Sequence, residues 1–133
     1  MSEVNVGDII LINNYVDNGR NLSRHSFVVI SVDAGEIQGL DYDVICNVLS
    51  SFKNDEQRER KLKYPGNFEI LNENSSITGG NDKDGYVKAE QFYFFKLDKI
   101  NYSVIGTLNV AVLKKLLSFI ASLGLIALIT DNL

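Results

Sequence analysis

One short stretch of this sequence concentrates side chains that can do chemistry at neutral pH. Residues 19–25, Gly-Arg-Asn-Leu-Ser-Arg-His, carry Arg20, Arg24 and His25 within six positions. Histidine titrates near neutral pH and can carry a proton, whereas the arginine guanidinium has a fixed fork of donors that suits phosphate oxygens. The stretch therefore fits proton transfer at a phosphate, although such a cluster is also typical of an ordinary surface loop.

A second stretch, residues 53–63, holds five basic and three acidic residues. Its Arg58, Arg60, Lys61 and Lys63 either belong to a solvated loop or form a flap that meets phosphates. The whole chain has 13 basic and 17 acidic residues and a net charge of −4. A protein that binds nucleic acid by its overall field is basic, so binding here has to use a local patch of this kind.

The sequence lacks the residues needed for a disulfide, a structural zinc site or a calcium loop. One Cys and one His in 133 residues allow no internal disulfide and no structural zinc site. Cys46 lies in an apolar run and is expected in the core. Residues 82–85, Asp-Lys-Asp-Gly, resemble part of a calcium loop but lack its acidic first ligand and its final Glu. The sequence therefore predicts no metal and no cofactor.

The elements that must position these residues are mostly strands. Asparagine, serine and charged residues separate short β-branched and aromatic runs, which predict strands. Strand regions are expected at residues 6–12, 27–32, 42–49, 68–71 and 86–95, with a short extra strand within 97–105. The intervening residues 13–26, 51–63 and 72–85 are expected to be turns or loops.

From about residue 108 the spacing of apolar residues becomes that of a helix. Asn109 is a plausible N-cap, and a helix over about 108–123 is expected. Its predicted apolar face comprises Val110, Leu113, Leu116, Leu117, Ile120 and Leu123. The apolar tail over 116–129 is too short for a bilayer, which needs roughly 20 residues. It is expected to be a helix packed on the barrel, or alternatively to take part in a subunit interface.

Together these elements predict a mainly β fold with some helix, a small antiparallel barrel followed by a C-terminal helix, in a single domain over residues 1–133. Hydrophobic residues make up 45% of the chain, enough for a real core. The lone Cys favours a reducing compartment, and residues 1–7 lack the pattern of a signal peptide. A cytoplasmic protein is therefore expected.

Several motifs, taken in order, resemble the MazF/PemK (Kid) toxins of bacterial toxin–antitoxin systems over roughly residues 6–123. Each is weak alone, but their order and spacing are fairly specific. The motifs are Val6-Gly7-Asp8-Ile9-Ile10, Arg24-His25-Ser26-Phe27-Val28-Val29-Ile30, Leu49-Ser50-Ser51, Lys63-Tyr64-Pro65-Gly66-Asn67-Phe68-Glu69-Ile70, Val87-Lys88-Ala89-Glu90-Gln91 and Leu97-Asp98-Lys99 with Ile105-Gly106-Thr107-Leu108.

The resemblance implies an SH3-like barrel, usually a homodimer, and a metal-independent endoribonuclease that cuts single-stranded RNA at short sequences. In that reaction the ribose 2′-OH attacks the adjacent phosphate and leaves a 2′,3′-cyclic phosphate and a free 5′-OH. A cognate antitoxin, a protein or in related systems an RNA, controls the activity.

The resemblance also implies residue roles. Arg24 or His25 takes the family's catalytic arginine position: an ungapped match selects His25, and a one-residue gap selects Arg24. Ser50 replaces the family's Thr as a hydroxyl donor to the phosphate. The implied RNA-binding residues are Arg20, Ser51, Lys53, Tyr64, Pro65 and Gln91.

Two other readings remain open. This sequence lacks the family's Arg-Pro pair, so one alternative is a divergent relative that binds RNA or a protein without cleavage. In that case the aromatic run Phe92-Tyr93-Phe94-Phe95 could stack on bases, although core positions are the more ordinary role for it. The other alternative is a structural subunit whose apolar helix and tail form an obligate interface.

Overall fold

The protein is mainly β, as predicted, with a curled and largely antiparallel sheet and two helices, of which only the C-terminal one was predicted. The structure, a computed structural model, describes residues 4–17, 19–71, 75–77 and 84–133. The elements are β1 (Asp8–Asp17), β2 (Arg20–Ser31), β3 (Gly35–Ile37), β4 (Leu40–Tyr42), β5 (Val44–Ser51), α1 (Asp55–Leu62), β6 (Asn67–Ile70), β7 (Ser75–Ile77), β8 (Gly85–Lys88), β9 (Gln91–Phe95), a 3₁₀ turn (Leu97–Lys99), β10 (Tyr102–Leu108), α2 (Val110–Ala121) and β11 (Ala127–Ile129).

The large sheet runs in the order β11-β9-β5-β2-β1-β10-β7, and β8 pairs with β5 and β6. β3 and β4 form a separate small hairpin. Most of residues 72–85, expected to be a surface loop and including the calcium-loop resemblance, lies outside the described residues.

The first hairpin is much longer than predicted. Residues 13–26 were expected to form a polar loop, but β1 and β2 pair as far as Asp17 opposite Arg20. Strand pairing uses backbone groups, so polar side chains can continue a ladder whose apolar pattern has already ended. Gly19, with a φ of +77°, lies in the turn.

The two faces of β2 and β5 belong to two separate hydrophobic clusters. Alternating side chains such as Phe27 and Val48 join a first cluster, and their neighbours Val28 and Leu49 join a second. The antiparallel register places Phe27 opposite Val48 and Val28 opposite Asn47. We call these surfaces face A, which carries Phe27, and face B, which carries Val28.

β5 changes partner along its length, and this change curls the sheet. Its first half pairs with β9, and its second half pairs with β8. The single strand predicted over 86–95 is therefore wrong, because a turn at Ala89 and Glu90 divides it. The buried Asn47 side chain donates from Nδ2 to the Gln91 carbonyl at 2.9 Å and ties β9 to β5 at this division.

Helix α1 occupies the middle of the charged segment predicted to be a loop. Its N-cap Asn54 accepts a hydrogen bond from the Gln57 backbone at 2.8 Å, and the Gln57 side chain accepts one from the Lys53 backbone at 2.6 Å. These two bonds satisfy backbone donors at the start of a helix that buries no residue of its own.

Helix α2 covers face B, close to the predicted position. Leu116 is fully buried in the second cluster, and Val112, Leu113, Phe119, Ile120 and Leu123 pack against that cluster. The predicted face was partly wrong, because Val110 is 67% exposed and Leu117 is 38% exposed. Leu117 lies about 100° around the helix from Leu116, which turns it away from the sheet.

The apolar tail ends as a strand. β11 pairs in parallel with β9, from Ala127 opposite Gln91 to Ile129 opposite Tyr93. The side chain of Asn132 then accepts from the Val16 amide at 2.8 Å and donates to the Val16 carbonyl at 3.0 Å. The segment was expected to be a helix packed on the barrel. Its first part is in α2, whereas its end, Ala127–Ile129, adds a strand to the edge of the sheet instead. Within the described ranges, no helix has the length and hydrophobicity to cross a bilayer.

Candidate functional site

Strand alternation puts two of the three predicted catalytic residues at the same end of face A. β2 and β5 are paired up to Ser26 opposite Leu49, so the next position on each strand is occupied by His25 and Ser50. Strand alternation puts His25 on the face of Phe27 and Ser50 on the face of Val48, which is the same face. Side chains at directly opposite positions approach within about 5 Å. His25 and Ser50 are both half-buried.

Aromatic packing holds His25 in place. Its ring lies 4.8 Å from the ring of Tyr15, and Tyr15 packs edge-on against Phe27 at 5.2 Å. Nδ1 of His25 is buried with no hydrogen-bond partner among the described residues. Nε2 is therefore the ring nitrogen that a substrate can reach, and it accepts a proton when the ring hydrogen is on Nδ1.

Gln91 completes this side of face A. Its side chain accepts a hydrogen bond from the Tyr93 hydroxyl at 3.0 Å. Its backbone carbonyl accepts from Asn47 Nδ2 at 2.9 Å, which holds Gln91 beside the second half of β5, the half that ends in Ser50 and Ser51. With its Oε1 engaged, the Gln91 amide group is the end left to donate. We call His25, Ser50 and Gln91 the His25 cluster.

The remaining residues of the predicted loop and strand end are not part of this cluster. Arg24 is exposed, and alternation places it on face B, opposite to His25. Ser51 likewise follows Ser50 onto the other face, where it pairs with Gly85. Arg20 lies at the tip of the first hairpin, five residues or about 16 Å along the strand from His25. The structure therefore brings together His25 and Ser50 but not Arg24.

Tyr86, which pairs with Ser50, joins the cluster to three basic side chains, Arg60, Lys61 and Lys63, which we call the basic wall. The Tyr86 ring is buried, stacks on Phe52 at 5.2 Å and has Lys61 Nζ 6.0 Å from its centre. Lys61 belongs to α1, which is anchored to the sheet by an ion pair at 2.6 Å between Arg58 and Glu69. Arg58 is thus committed to structure, whereas Lys61 faces the site.

Two adjoining pockets follow this wall, and Lys61 and Tyr64 line both. The larger, about 320 Å³, is lined by Arg60, Lys61, Lys63 and Tyr64. The smaller, about 190 Å³, is lined by Lys61, Tyr64, Asn67, Lys88, Glu90 and Gln91. The second pocket reaches the His25 cluster through Gln91. Among the predicted RNA-binding residues, Tyr64 and Gln91 line these pockets, while Lys53 and Pro65 are exposed nearby in sequence.

Sequence reasoning missed several residues of this surface. Tyr15 was assigned to a loop, although it supports His25 from a paired strand. Lys88 and Asn67 were quoted only within motifs, and the register that pairs them across β6 and β8 brings both to the smaller pocket. The Asn54 and Gln57 spacing was the one readable signal for α1.

The other candidate chemistries find little support in the described part of the chain. Cys46 is fully buried, and burial raises the pKa of its thiol, so it is a core residue as predicted. Tyr93, Phe94 and Phe95 are buried, which leaves no exposed aromatic run for stacking on bases. Within these ranges no three His, Cys, Asp or Glu side chains group as metal ligands.

Comparisons with protein-family models and with curated proteins both give no match. The geometry of the His25 cluster and its basic wall therefore carries the functional interpretation.

Proposed function

We propose that this protein is a metal-independent endoribonuclease of the MazF/PemK type, the toxin of a toxin–antitoxin pair. The proposal includes an SH3-like barrel, a cytoplasmic location, a homodimeric assembly and a cognate antitoxin that is a protein or an RNA. The support for it is that strand alternation puts His25 and Ser50 on one face, one position beyond the last β2–β5 pair, Ser26 opposite Leu49, and that Lys61 lies over Tyr86, the partner of Ser50.

The residues of the cluster suit cleavage of an RNA phosphodiester. His25 takes the proton of the ribose 2′-OH, and the freed oxygen forms a bond to phosphorus. The bond from phosphorus to the 5′-oxygen breaks, and that oxygen takes a proton from solvent. Ser50 and the Gln91 amide donate hydrogen bonds to the phosphate oxygens as charge develops on them. The products are a 2′,3′-cyclic phosphate and a 5′-OH.

The positions of the arginines give them a different role. Arg24 and Arg20 lie away from the cluster, so their charges attract the RNA backbone rather than contact the reacting phosphate. Lys61, Lys63 and Lys88 supply the corresponding charge on the other side of the cluster. An acidic protein obtains local affinity for a polyanion in this way.

Exposed apolar residues support the proposed dimer. Val110 and Leu117 of α2 and Val104 of β10 expose large hydrophobic side chains. Val110 and Leu117 are seven residues apart and so share one face of α2, which a second copy of the chain would cover in the proposed dimer.

Cleavage of a long single-stranded RNA in EDTA tests the proposal. The wild type should cut the RNA and leave cyclic phosphate ends, and the His25→Ala/Ser50→Ala double variant should leave it intact. The unfolding curves of both proteins show whether the variant is folded. Intact RNA with a folded wild type would refute the proposal and favour the alternative, a relative that binds RNA or a protein without cutting.

A further inference from the structure

The two adjoining pockets beside the His25 cluster differ in chemistry, and the difference matches the two parts of a nucleotide. Among the described residues, three cationic side chains and Tyr64 line the larger pocket. The smaller pocket has amide, carboxylate and ammonium groups. Cationic donors suit a phosphate, whereas a mixed set of donors and acceptors suits the edge of a base.

Tyr64 stands between the two pockets. It lines both of them and is 61% exposed, which is unusual for a large aromatic side chain. An exposed aromatic ring beside cationic groups is the common platform on which a base stacks in single-stranded nucleic-acid binding. Its position lets a base stack while the attached phosphate reaches Lys63.

Glu90 is the acidic side chain among the described residues that line the smaller pocket. A Cβ atom on Gly66 would overlap the Glu90 carboxyl group, so the side chain packs directly over this glycine. The carboxylate makes no hydrogen bond or ion pair within the described residues, although Lys61 and Lys88 line the same pocket. A carboxylate is an acceptor with two oxygens and offers no donor.

We infer that this pocket binds a guanine base, with the Glu90 carboxylate accepting from the adjacent N1–H and N2–H groups. Guanine is the base that presents two neighbouring donors on its Watson–Crick edge, and cytosine and adenine present one amino group each. The phosphate of the same nucleotide lies against Lys63 and Arg60. Gln91 belongs to the His25 cluster and also lines the smaller pocket. If the proposed function holds, on which this step rests, the guanosine is therefore next to the scissile phosphate in the RNA.

Binding of the four nucleoside 5′-monophosphates, followed by NMR titration, tests the inference without any cleavage. The wild type should bind GMP about tenfold more tightly than AMP, CMP or UMP. Glu90→Gln should remove this preference. Loss of a negative charge alone strengthens the binding of every anion, so weaker GMP binding with equal or tighter binding of the others identifies the carboxylate as a base reader.

Two further variants serve as matched controls. Gly66→Ala keeps Glu90 but displaces its carboxyl group, and it should also abolish the GMP preference. Lys63→Ala should weaken the binding of all four nucleotides by a similar factor, because a contact to the phosphate does not depend on the base.

The outcomes separate this inference from the proposed nuclease. Equal binding of all four nucleotides, no binding, or an equal loss for all four in Glu90→Gln would overturn the guanine site, even if the wild type cuts RNA. A protein that prefers GMP but leaves RNA intact would keep the guanine site and refute the nuclease.

Discussion

Faces A and B of β2 and β5 share the same two strands but are built differently. On face B, Val28 and Leu49 lie in the cluster that α2 covers with Leu116. On face A, the apolar rows through Phe27 and Val48 continue into His25 and Ser50. A helix covers face B, whereas face A changes from core to polar side chains within one pleat, between Phe27 and His25.

The difference shows how a small sheet can hold a site rigidly. His25 lies one pleat beyond Phe27, so the packing that fixes the core also fixes the imidazole. Functional groups on strands are held more precisely than those on loops. Substitutions on the two faces should therefore separate loss of stability from loss of activity.

Core truncation on the two faces should have the largest effect and should distinguish them. Phe27→Ala and Leu116→Ala each remove a fully buried side chain and should lower the free energy of unfolding by about 3–5 and 2–5 kcal/mol respectively. Only Phe27→Ala also removes the support of Tyr15 beneath His25. Chemical denaturation gives the stabilities, and RNA cleavage per folded molecule gives the activity.

Equal losses of specific activity in these two variants would contradict the division between the faces. A smaller substitution, Phe27→Leu, keeps most of the apolar volume and serves where Phe27→Ala does not fold.

Removal of the Ser50 hydroxyl should have the next largest effect. Ser50→Ala should lower the cleavage rate about 100-fold, because loss of one donor to a developing negative charge has that size. Ser51→Ala is the matched control, since the neighbouring serine lies on face B. Single-turnover cleavage of one RNA under saturating protein measures the chemical step. Similar losses in both variants would contradict the assignment by face.

Much of the fold could be predicted from residue periodicity. The apolar runs that include Ile10, Val29 and Cys46 are strands, and the helix near Leu116 lies within two residues of its expected bounds. The extension of the first hairpin was missed because backbone pairing leaves no apolar pattern in polar residues. The turn that divides 86–95 was missed because the run stays rich in strand-forming residues.

The site was predictable in composition but not in arrangement. The sequence pointed to Arg24, His25 and Ser50, yet adjacent residues on a strand face opposite ways, and which one meets Ser50 depends on the register between β2 and β5. That register is a long-range property. Lys88 and Glu90 line the smaller pocket only because β8 and the turn after it lie beside Lys61 of α1, which is also a long-range property.

The smallest expected effect is on the pH dependence of stability, and it comes from Cys46 in the core of face A. Burial raises the pKa of this thiol in the folded protein, so it stays neutral while the thiol of the unfolded chain ionises. Stability is therefore retained below about pH 9 and falls as the pH rises further, by about 1.4 kcal/mol per pH unit for one proton.

Denaturation between pH 8 and 10.5 measures this slope, and Cys46→Ala should reduce it by that amount. Asp43 raises the pKa of Lys96, whose loss of a proton also lowers stability at high pH, but this contribution is common to both proteins and cancels. Identical slopes would show that the Cys46 site is open to water.

The most direct test of the central claim compares His25→Ala with Arg24→Ala in metal-free cleavage of the same single-stranded RNA. If face A carries the chemistry, His25→Ala lowers the rate constant at saturating protein by at least about 100-fold. Arg24→Ala then weakens RNA binding in a salt-dependent way and changes that rate constant little. Full loss of activity in Arg24→Ala with an active His25→Ala would contradict the assignment of the site to face A.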